Sequence, residues 1–265
     1  MRNRLTLRFV ALGYLFLLLA APVGLVFFRT FEHGLGPAWD AVTTPEAQHA
    51  FWLTIVMVAV AVPINTVFGV ITAIVLVRQR FPAKPLMNAA IDLPFAVSPV
   101  VIGLALILVY GSDGWFGGWL TERGIQVIFS YPGMILATIF VSLPFVVREV
   151  VPVLREIGTE QEQAASTLGS SWWQTFWRIT LPSIRWGLTY GIVLATARAL
   201  GEFGAVSVVS GKLSGETETA TLFVEQRFHQ FDLTGAYAAS VVLALMALTV
   251  LLSMNLLNTR RRHSG

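Results

Sequence analysis

Residues 51–77 read FWLTIVMVAVAVPINTVFGVITAIVLV, 27 positions without one Asp, Glu, Lys or Arg. A hydrocarbon core about 30 Å thick is crossed by roughly 20 helical residues, so this stretch is long enough to cross a bilayer. It is also too apolar to turn any helical face to water. The same reading applies at 9–28, 93–110, 131–147, 188–209 and 236–257. Composition agrees: of 265 residues 55% are apolar and 12% charged, with mean hydropathy +0.70, against about 25% charged in a soluble domain. The expected fold is an all-α integral membrane protein of six transmembrane helices, one domain over 1–265, with one long connection at 148–187.

The chain has no cysteine, which excludes a disulfide framework, a thiolate metal site and thiol catalysis. His33, His49, His229 and His263 all fall between or beyond the spans, with no metal-ligand spacing, so no metal site is expected. A pI near 9.6 would suit nucleic acid only if the basic residues clustered on one surface; they are dispersed through the connections, so no nucleic-acid partner is expected.

Their dispersal instead sets an orientation. With both termini in the cytoplasm, the inner segments hold Arg2, Arg4, Arg8, Arg78, Arg80, Lys84, Arg148, Arg155, Arg178, Arg185, Arg260, Arg261 and Arg262. Outside lie only Arg29, Arg123, Lys212 and Arg227, with most of the acidic residues. Thirteen against four follows the positive-inside rule and favours an even number of spans, N-in and C-in. The N-terminal run through Ala20-Ala21 could also be read as a signal peptide, but Pro22 would sit just after the cut and the apolar run continues to Phe28, so a span is expected. The tail Arg260-Arg261-Arg262 is expected to hold the last span against anionic lipid.

Proline and glycine interrupt several spans: Pro22, Pro63, Pro94, Pro99, Pro144, Gly201 and Gly204. Such residues are tolerated where neighbours or water re-satisfy the backbone, as in a bundle that lines a path. Within 148–187 two short helices have readable starts. Thr159 and Glu162 fit a capping box before Ala164, Ala165 and Leu168, with Gly169 as the stop; Ser171 and Gln174 fit a second box, with Trp172, Phe176 and Ile179 on one face and Leu181-Pro182 as its end.

The stretch Gln163-Ala164-Ala165-Ser166-Thr167-Leu168-Gly169, then nine residues, then Ile179-Thr180-Leu181-Pro182 resembles the EAA loop of permease subunits in binding-protein-dependent ABC importers. Gln163 stands where that pattern has Glu, with Glu162 just before it. Three further stretches, 93–103, 197–205 and 210–217 (LPFAVSPVVIG, ARALGEFGA and SGKLSGET), resemble the sulfate/thiosulfate permease family of W-type subunits, in a wider group that includes the T-type and molybdate permeases. The resemblance implies a type I ABC importer permease fold in a bacterial inner membrane. It makes Gln163, Ala164, Ala165, Leu168, Gly169, Ile179, Leu181 and Pro182 the residues that couple to an ATPase. It further implies a paired CysT-like permease subunit, two CysA-like ATP-binding subunits carrying ATP and Mg, and an extracytoplasmic sulfate-binding protein. No cofactor is expected in this chain itself: Gly211-Lys212 is followed by Leu213, and Val206 stands where a phosphate-binding loop needs its first glycine.

Arg198 and Glu202 lie within the fifth expected span at i, i+4, where they can pair on one helix face. Charges at membrane depth are expensive and point to an interior or water-lined position. With Ser98 and Pro99 of the proline-broken third span, they are the candidate residues of the translocation path or its gate. A structural ion pair locking helices together is the other reading. Small residues at four-residue spacing, Gly187, Gly191, Ala195 and Ala199 on one side and Ala197, Gly201 and Ala205 on the other, predict close packing against two neighbours. No catalytic residues are expected: the spans contain no nucleophile–base constellation of an intramembrane hydrolase. A secondary anion transporter or channel would suit the charge pair and broken spans equally, but has no use for a docking loop. A molybdate or tungstate permease is the nearer alternative.

Overall fold

The long apolar stretch is framed by its own start and stop signals. Thr44 Oγ1 accepts from Ala47 N (3.2 Å), Pro45 opens the helix where its missing N–H costs nothing, and Arg78 closes it. The result is a helix of 34 residues, Pro45–Arg78, that runs through Pro63. At 1.5 Å per residue it is about 51 Å long, so it crosses a bilayer and protrudes.

The computed structural model describes the backbone of residues 2–32 and 34–262 and the side chains of 7–32 and 34–252. In chain order the helices are α1 (Arg2–Leu15), α2 (Ala21–Phe31), α3 (Leu35–Val42), α4 (Pro45–Arg78), α5 (Lys84–Ala96), α6 (Pro99–Tyr110), α7 (Gly117–Glu122), α8 (Tyr131–Glu156), α9 (Glu160–Thr167), α10 (Trp172–Thr175), α11 (Leu181–Leu200), α12 (Gly204–Val209), α13 (Ala220–His229) and α14 (Leu233–Arg262). π-helical turns at Phe16–Ala20 and Phe176–Thr180 join α1 to α2 and α10 to α11. Among the described residues there is no strand. The expectations at His33 and His263, and for the side chains of Arg2, Arg4 and Arg260 to Arg262, lie outside the described residues.

The centre of the bundle is α4 lying parallel to α8, with α11 antiparallel beside them. Two apolar clusters stack along this axis. Leu53, Met57, Met134, Ala137 and Val141 fill one end, and Val70, Ala73, Leu76, Val146, Val147, Val150, Leu154 and Ile184 fill the other. Close approach depends on small residues, as membrane helices require. A Cβ on Gly69 would fall 2.7 Å from Val146 Cγ1, one on Gly187 would fall 2.9 Å from the Glu149 carbonyl, and one on Gly191 would fall 2.9 Å from Val146 Cα. Gly187 and Gly191 of the expected stripe therefore pack on α8, and Ala195 joins the same apolar cluster. Buried Asn65 links the pair by donating to Ile139 O (3.1 Å) and Ser142 Oγ (2.8 Å).

Four helices are individually long and apolar enough to cross a membrane: Leu7–Phe31, Pro45–Arg78, Tyr131–Glu156 and Leu233–Leu252. The third and fifth expected spans are not single helices. Residues 93–110 divide between α5 and α6, which meet at 116°: Pro99 disfavours a helical Ser98 and cannot bond backward, so α5 stops and a new helix begins. Residues 188–209 divide at Gly201, which ends α11, and restart at Gly204. At Leu181-Pro182 the difference runs the other way, because the helix does not end there. Leu181 N–H bonds to Phe176 O in a π-helical turn, placing Pro182 in the first turn of α11, where its missing donor is tolerated.

Candidate functional site

The 148–187 connection folds back as a helix–turn–helix. Gly169 sits at φ +83°; its N–H bonds to Ser166 O and Ser170 N–H to Ala165 O, both at 3.0 Å, the paired bonds of a Schellman stop. No atom lies within 4 Å of where a Gly169 Cβ would point, so it is the left-handed backbone that requires glycine here. Beyond it, Ser171 Oγ accepts from Gln174 N while Gln174 Oε1 accepts from Ser171 N, completing the expected second box.

Of the residues expected to couple, Gln163, Ala164 and Leu168 face outward, with Leu168 87% exposed, whereas Ala165 is buried. Ile179 and Leu181 are half-buried at the junction with α11, and Pro182 is exposed. Trp172 stacks on Phe176 while Trp177 meets Trp173 and Phe176 edge-on, and the three tryptophans are largely exposed. An apolar end of α9 and a neighbouring aromatic surface are thus both exposed.

The first expected capping box does not form. Thr159 makes no cap bond to the α9 backbone; its Oγ1 instead accepts from Gln163 Nε2 (3.1 Å). Glu162 turns toward Arg78 at the end of α4, with Arg78 Nε 3.0 Å from Oε2 and Nη2 donating to Oε1 at 3.2 Å. A guanidinium outcompetes a backbone N–H because both partners are charged. Arg78 also donates to Leu154 O (3.1 Å) and Gly158 O (2.6 Å), and Thr180 Oγ1 donates to Glu162 Oε1 (2.9 Å). Beside this knot a groove of about 480 Å³ runs between α4, α9 and α10, lined by Ile74, Gln163, Ser166 and Trp172 among others. The sequence registered Arg78 only as a basic residue, and its partner lies 84 positions away.

Toward the opposite side the two broken spans cross. A Cβ on Gly204 would fall 2.8 Å from Pro99 Cβ, and one on Gly103 would fall 2.8 Å from Ala205 O and from Val208 Cβ. α6 therefore lies directly on α12, and the break at Val97-Ser98 adjoins the break at 201–203. All four candidate path residues gather here. Ser98 is exposed and Pro99 half-buried. Arg198 Nη1 meets Glu202 Oε2 at 2.6 Å. The pair does not share a helix face as expected, since Glu202 lies beyond the end of α11. Its Oε1 accepts from Ala205 N (2.9 Å) and so caps α12. The Glu202 side chain is 2% exposed and that of Arg198 29%. Around them Leu93, Phe95, Val100, Val101, Leu104 and Phe203 are exposed, an apolar surface that carries two helix starts and, besides Arg198, the Lys212 ammonium 6.0 Å from the Phe203 ring.

Thr221 Oγ1 donates to Glu202 O (2.7 Å), tying this break to the start of α13, just after the 210–219 connection. That connection is itself held down: Ala220 N donates to Thr54 Oγ1 (2.9 Å) and His49 Nε2 lies 3.0 Å from Glu216 O. Its Glu218 is almost fully buried and receives the Gln226 amide nitrogen. Burial pushes the Glu218 carboxyl above its ordinary range and Glu46 adds to this, against a Ser214 hydrogen bond and Arg227. His229 lies 3.9 Å from Glu225, and among the described residues no cluster of potential ligands fits a metal.

Comparison with known proteins places this geometry. A family model described as "Binding-protein-dependent transport system inner membrane component" matches residues 65–263. A Synechocystis protein named "Sulfate transport system permease protein CysW" is 52% identical over 96% of this chain and 92% of its own length. The Escherichia coli K12 protein of the same name is 47% identical over 92% and 84%. A CysT permease from Synechococcus elongatus is 41% identical over 95% and 91%. In the crystal structure of a bacterial alginate ABC transporter complexed with its alginate-pentasaccharide-bound periplasmic protein, one chain superposes with TM-score 0.77 at 16% identity, covering 100% of this chain and 97% of that one. The fold is that of an ABC importer permease, and the chain belongs to the family of binding-protein-dependent transport system inner membrane components, as a membrane-spanning permease subunit.

Proposed function

We propose that this permease forms one half of the translocation path of an ATP-driven sulfate/thiosulfate importer in a bacterial inner membrane, with both termini cytoplasmic. The observation that carries the reading is the crossing of the two broken spans at Pro99 and Gly204. It sets Arg198 and Glu202 beside an exposed apolar face that a second, CysT-like permease subunit would complete. Interrupted helices meeting within a bundle are where transporters place their substrate path, and Arg198 supplies a cation to a passing dianion. Sulfate as the substrate rests on the names of the relatives. On the cytoplasmic side, Gln163, Ala164, Leu168 and Gly169 would seat α9 on one of two CysA-like subunits, which hold ATP and Mg; a sulfate-binding protein would deliver the anion from outside.

The test is the reconstituted complex. Sulfate-loaded binding protein should stimulate ATP hydrolysis and drive sulfate into proteoliposomes, with molybdate and tungstate as competing anions. Stimulation by molybdate and not sulfate would move the chain to the alternative oxyanion, and uptake without ATP would reject the importer reading. Cysteine labels at Asp40, Arg80, Glu122, Thr167 and Leu213 should report outside, inside, outside, inside and outside; an externally labelled Thr167 would overturn the topology.

A further inference from the structure

We infer that Arg78 is the positioning residue of the coupling helix: its guanidinium fixes the pitch of α9 relative to the spanning helices, so motion of α4, α8 and α11 reaches the ATPase contact through it. The inference rests on the reading of 148–187 as the coupling loop. Arg78 ends α4 and spreads its donors over three other segments, Leu154 O in α8, Gly158 O in the link to α9, and the Glu162 carboxylate in α9 itself. Glu162 in turn holds Thr180 in the π-helical turn that leads into α11. One ion pair thus joins four elements.

Few other contacts could hold α9 in this way. Its other polar side chains bond locally: Gln163 to Thr159, Ser166 to Gln163 O and Thr167 to Ala164 O. Among its described residues, every polar side-chain bond from α9 to another element passes through Glu162. Ala165 alone is buried. The paired side chains are 15% and 22% exposed, so water competes poorly for them and the bonds retain much of their charge-assisted strength.

A simpler role would be that of any cation at a helix end, satisfying the positive-inside rule and the helix dipole. For that role lysine serves as well as arginine. The observed arrangement sends Nη1 to Leu154 O and Nη2 to both Gly158 O and Glu162 Oε1, with Nε 3.0 Å from Oε2 of the same carboxylate, a spread that a planar fork can reach and a single ammonium cannot. The two roles therefore separate on one substitution.

The experiment compares Arg78→Lys, Arg78→Gln and Thr180→Val in the assembled complex reconstituted in proteoliposomes. It reads binding-protein-stimulated over basal ATP hydrolysis, and anion imported per ATP. Arg78→Lys should lower the stimulation ratio severalfold, Arg78→Gln about tenfold and Thr180→Val less than either, with the complex still purifying intact. If Arg78→Gln prevents assembly, Arg78→Lys and Thr180→Val decide between the two roles. Wild-type coupling in Arg78→Lys overturns the inference. Leu168→Ser, on the outward face of α9, serves as the companion variant. If it uncouples while Arg78→Lys does not, only the positioning role fails. If neither does, the coupling reading of the loop fails with it.

Discussion

Removing either partner of the Arg198–Glu202 pair should have unequal consequences, because the two charges are unequally placed. Glu202 is 2% exposed at its side chain and also caps α12 through Ala205 N; Arg198 is 29% exposed. Arg198→Ala leaves a carboxylate sealed from water without its cation, a change that costs about 3–5 kcal/mol in buried pairs. Glu202→Gln leaves a guanidinium that can turn to water and retains an oxygen for Ala205 N, so about 1–2 kcal/mol is expected. Combining the two substitutions removes the stranded charge and should recover about half the loss. The assay is thermal unfolding of the assembled complex for the four proteins, beside sulfate uptake. Equal losses in the two single variants, or none recovered in the double, would refute the argument that burial sets the asymmetry. Uptake then separates path from lock: if Arg198 serves the anion, the double variant regains stability but not transport. Restored transport would leave the pair as a helix lock alone.

Three further outcomes follow from the geometry. Because Gly169 has free space but φ +83°, a series at this position should rank Gly, Asn, Ala, Val in falling transport coupling, with Ala about 1–2 kcal/mol less favourable than Gly; equal uptake across the series would exclude the stop as a coupling element. Ala at Gly103 or Gly204 puts a methyl 2.8 Å from Ala205 O or Pro99 Cβ and should cost about 1–3 kcal/mol by overpacking, read as a lower melting midpoint and reduced uptake, whereas Ala at Gly118, with no neighbour within 4 Å, should change neither. Glu218 has its folded-state pKa raised from 4.5, so its contribution is complete below that value and lost as pH climbs through the raised one. The melting midpoint should fall with rising pH over that window, less steeply in Glu218→Gln; an unchanged slope in the variant would assign the dependence to another group.

What the sequence made legible was what repeats on a short scale. Uncharged runs of sufficient length gave the helices at 51–77 and 131–147, and Gly169 and Ser171-Gln174 gave the turn and the second cap, because each depends on residues within one or two helical turns. The breaks at 97–98 and 201–203 were hidden, since hydropathy is indifferent to whether an apolar run is one helix or two. Pro99 and Gly201 marked the places without saying that the chain would bend by 116° at one and leave the helix at the other. Glu162 shows the opposite failure. A local motif offered it the role of cap, and a cation 84 positions away took it. No window along the chain contains that competition, and only the parallel packing of α4 on α8 brings Arg78 within reach.

The π-helical turn at 176–180 has a mechanical consequence. By carrying the helix past Pro182 without interruption, it makes residues 172–200 a single rod, about 43 Å long at 1.5 Å per residue. The rod has its tryptophans at one tip and Arg198 at the other. Levers trade angle for travel: a tilt of about 5° at the tryptophan tip sweeps the far tip through about 4 Å, more than the length of the contact between Arg198 and Glu202. A π-helical turn beside a proline is where helices bend, so residues 176–182 set how much of such a rotation passes from one tip to the other.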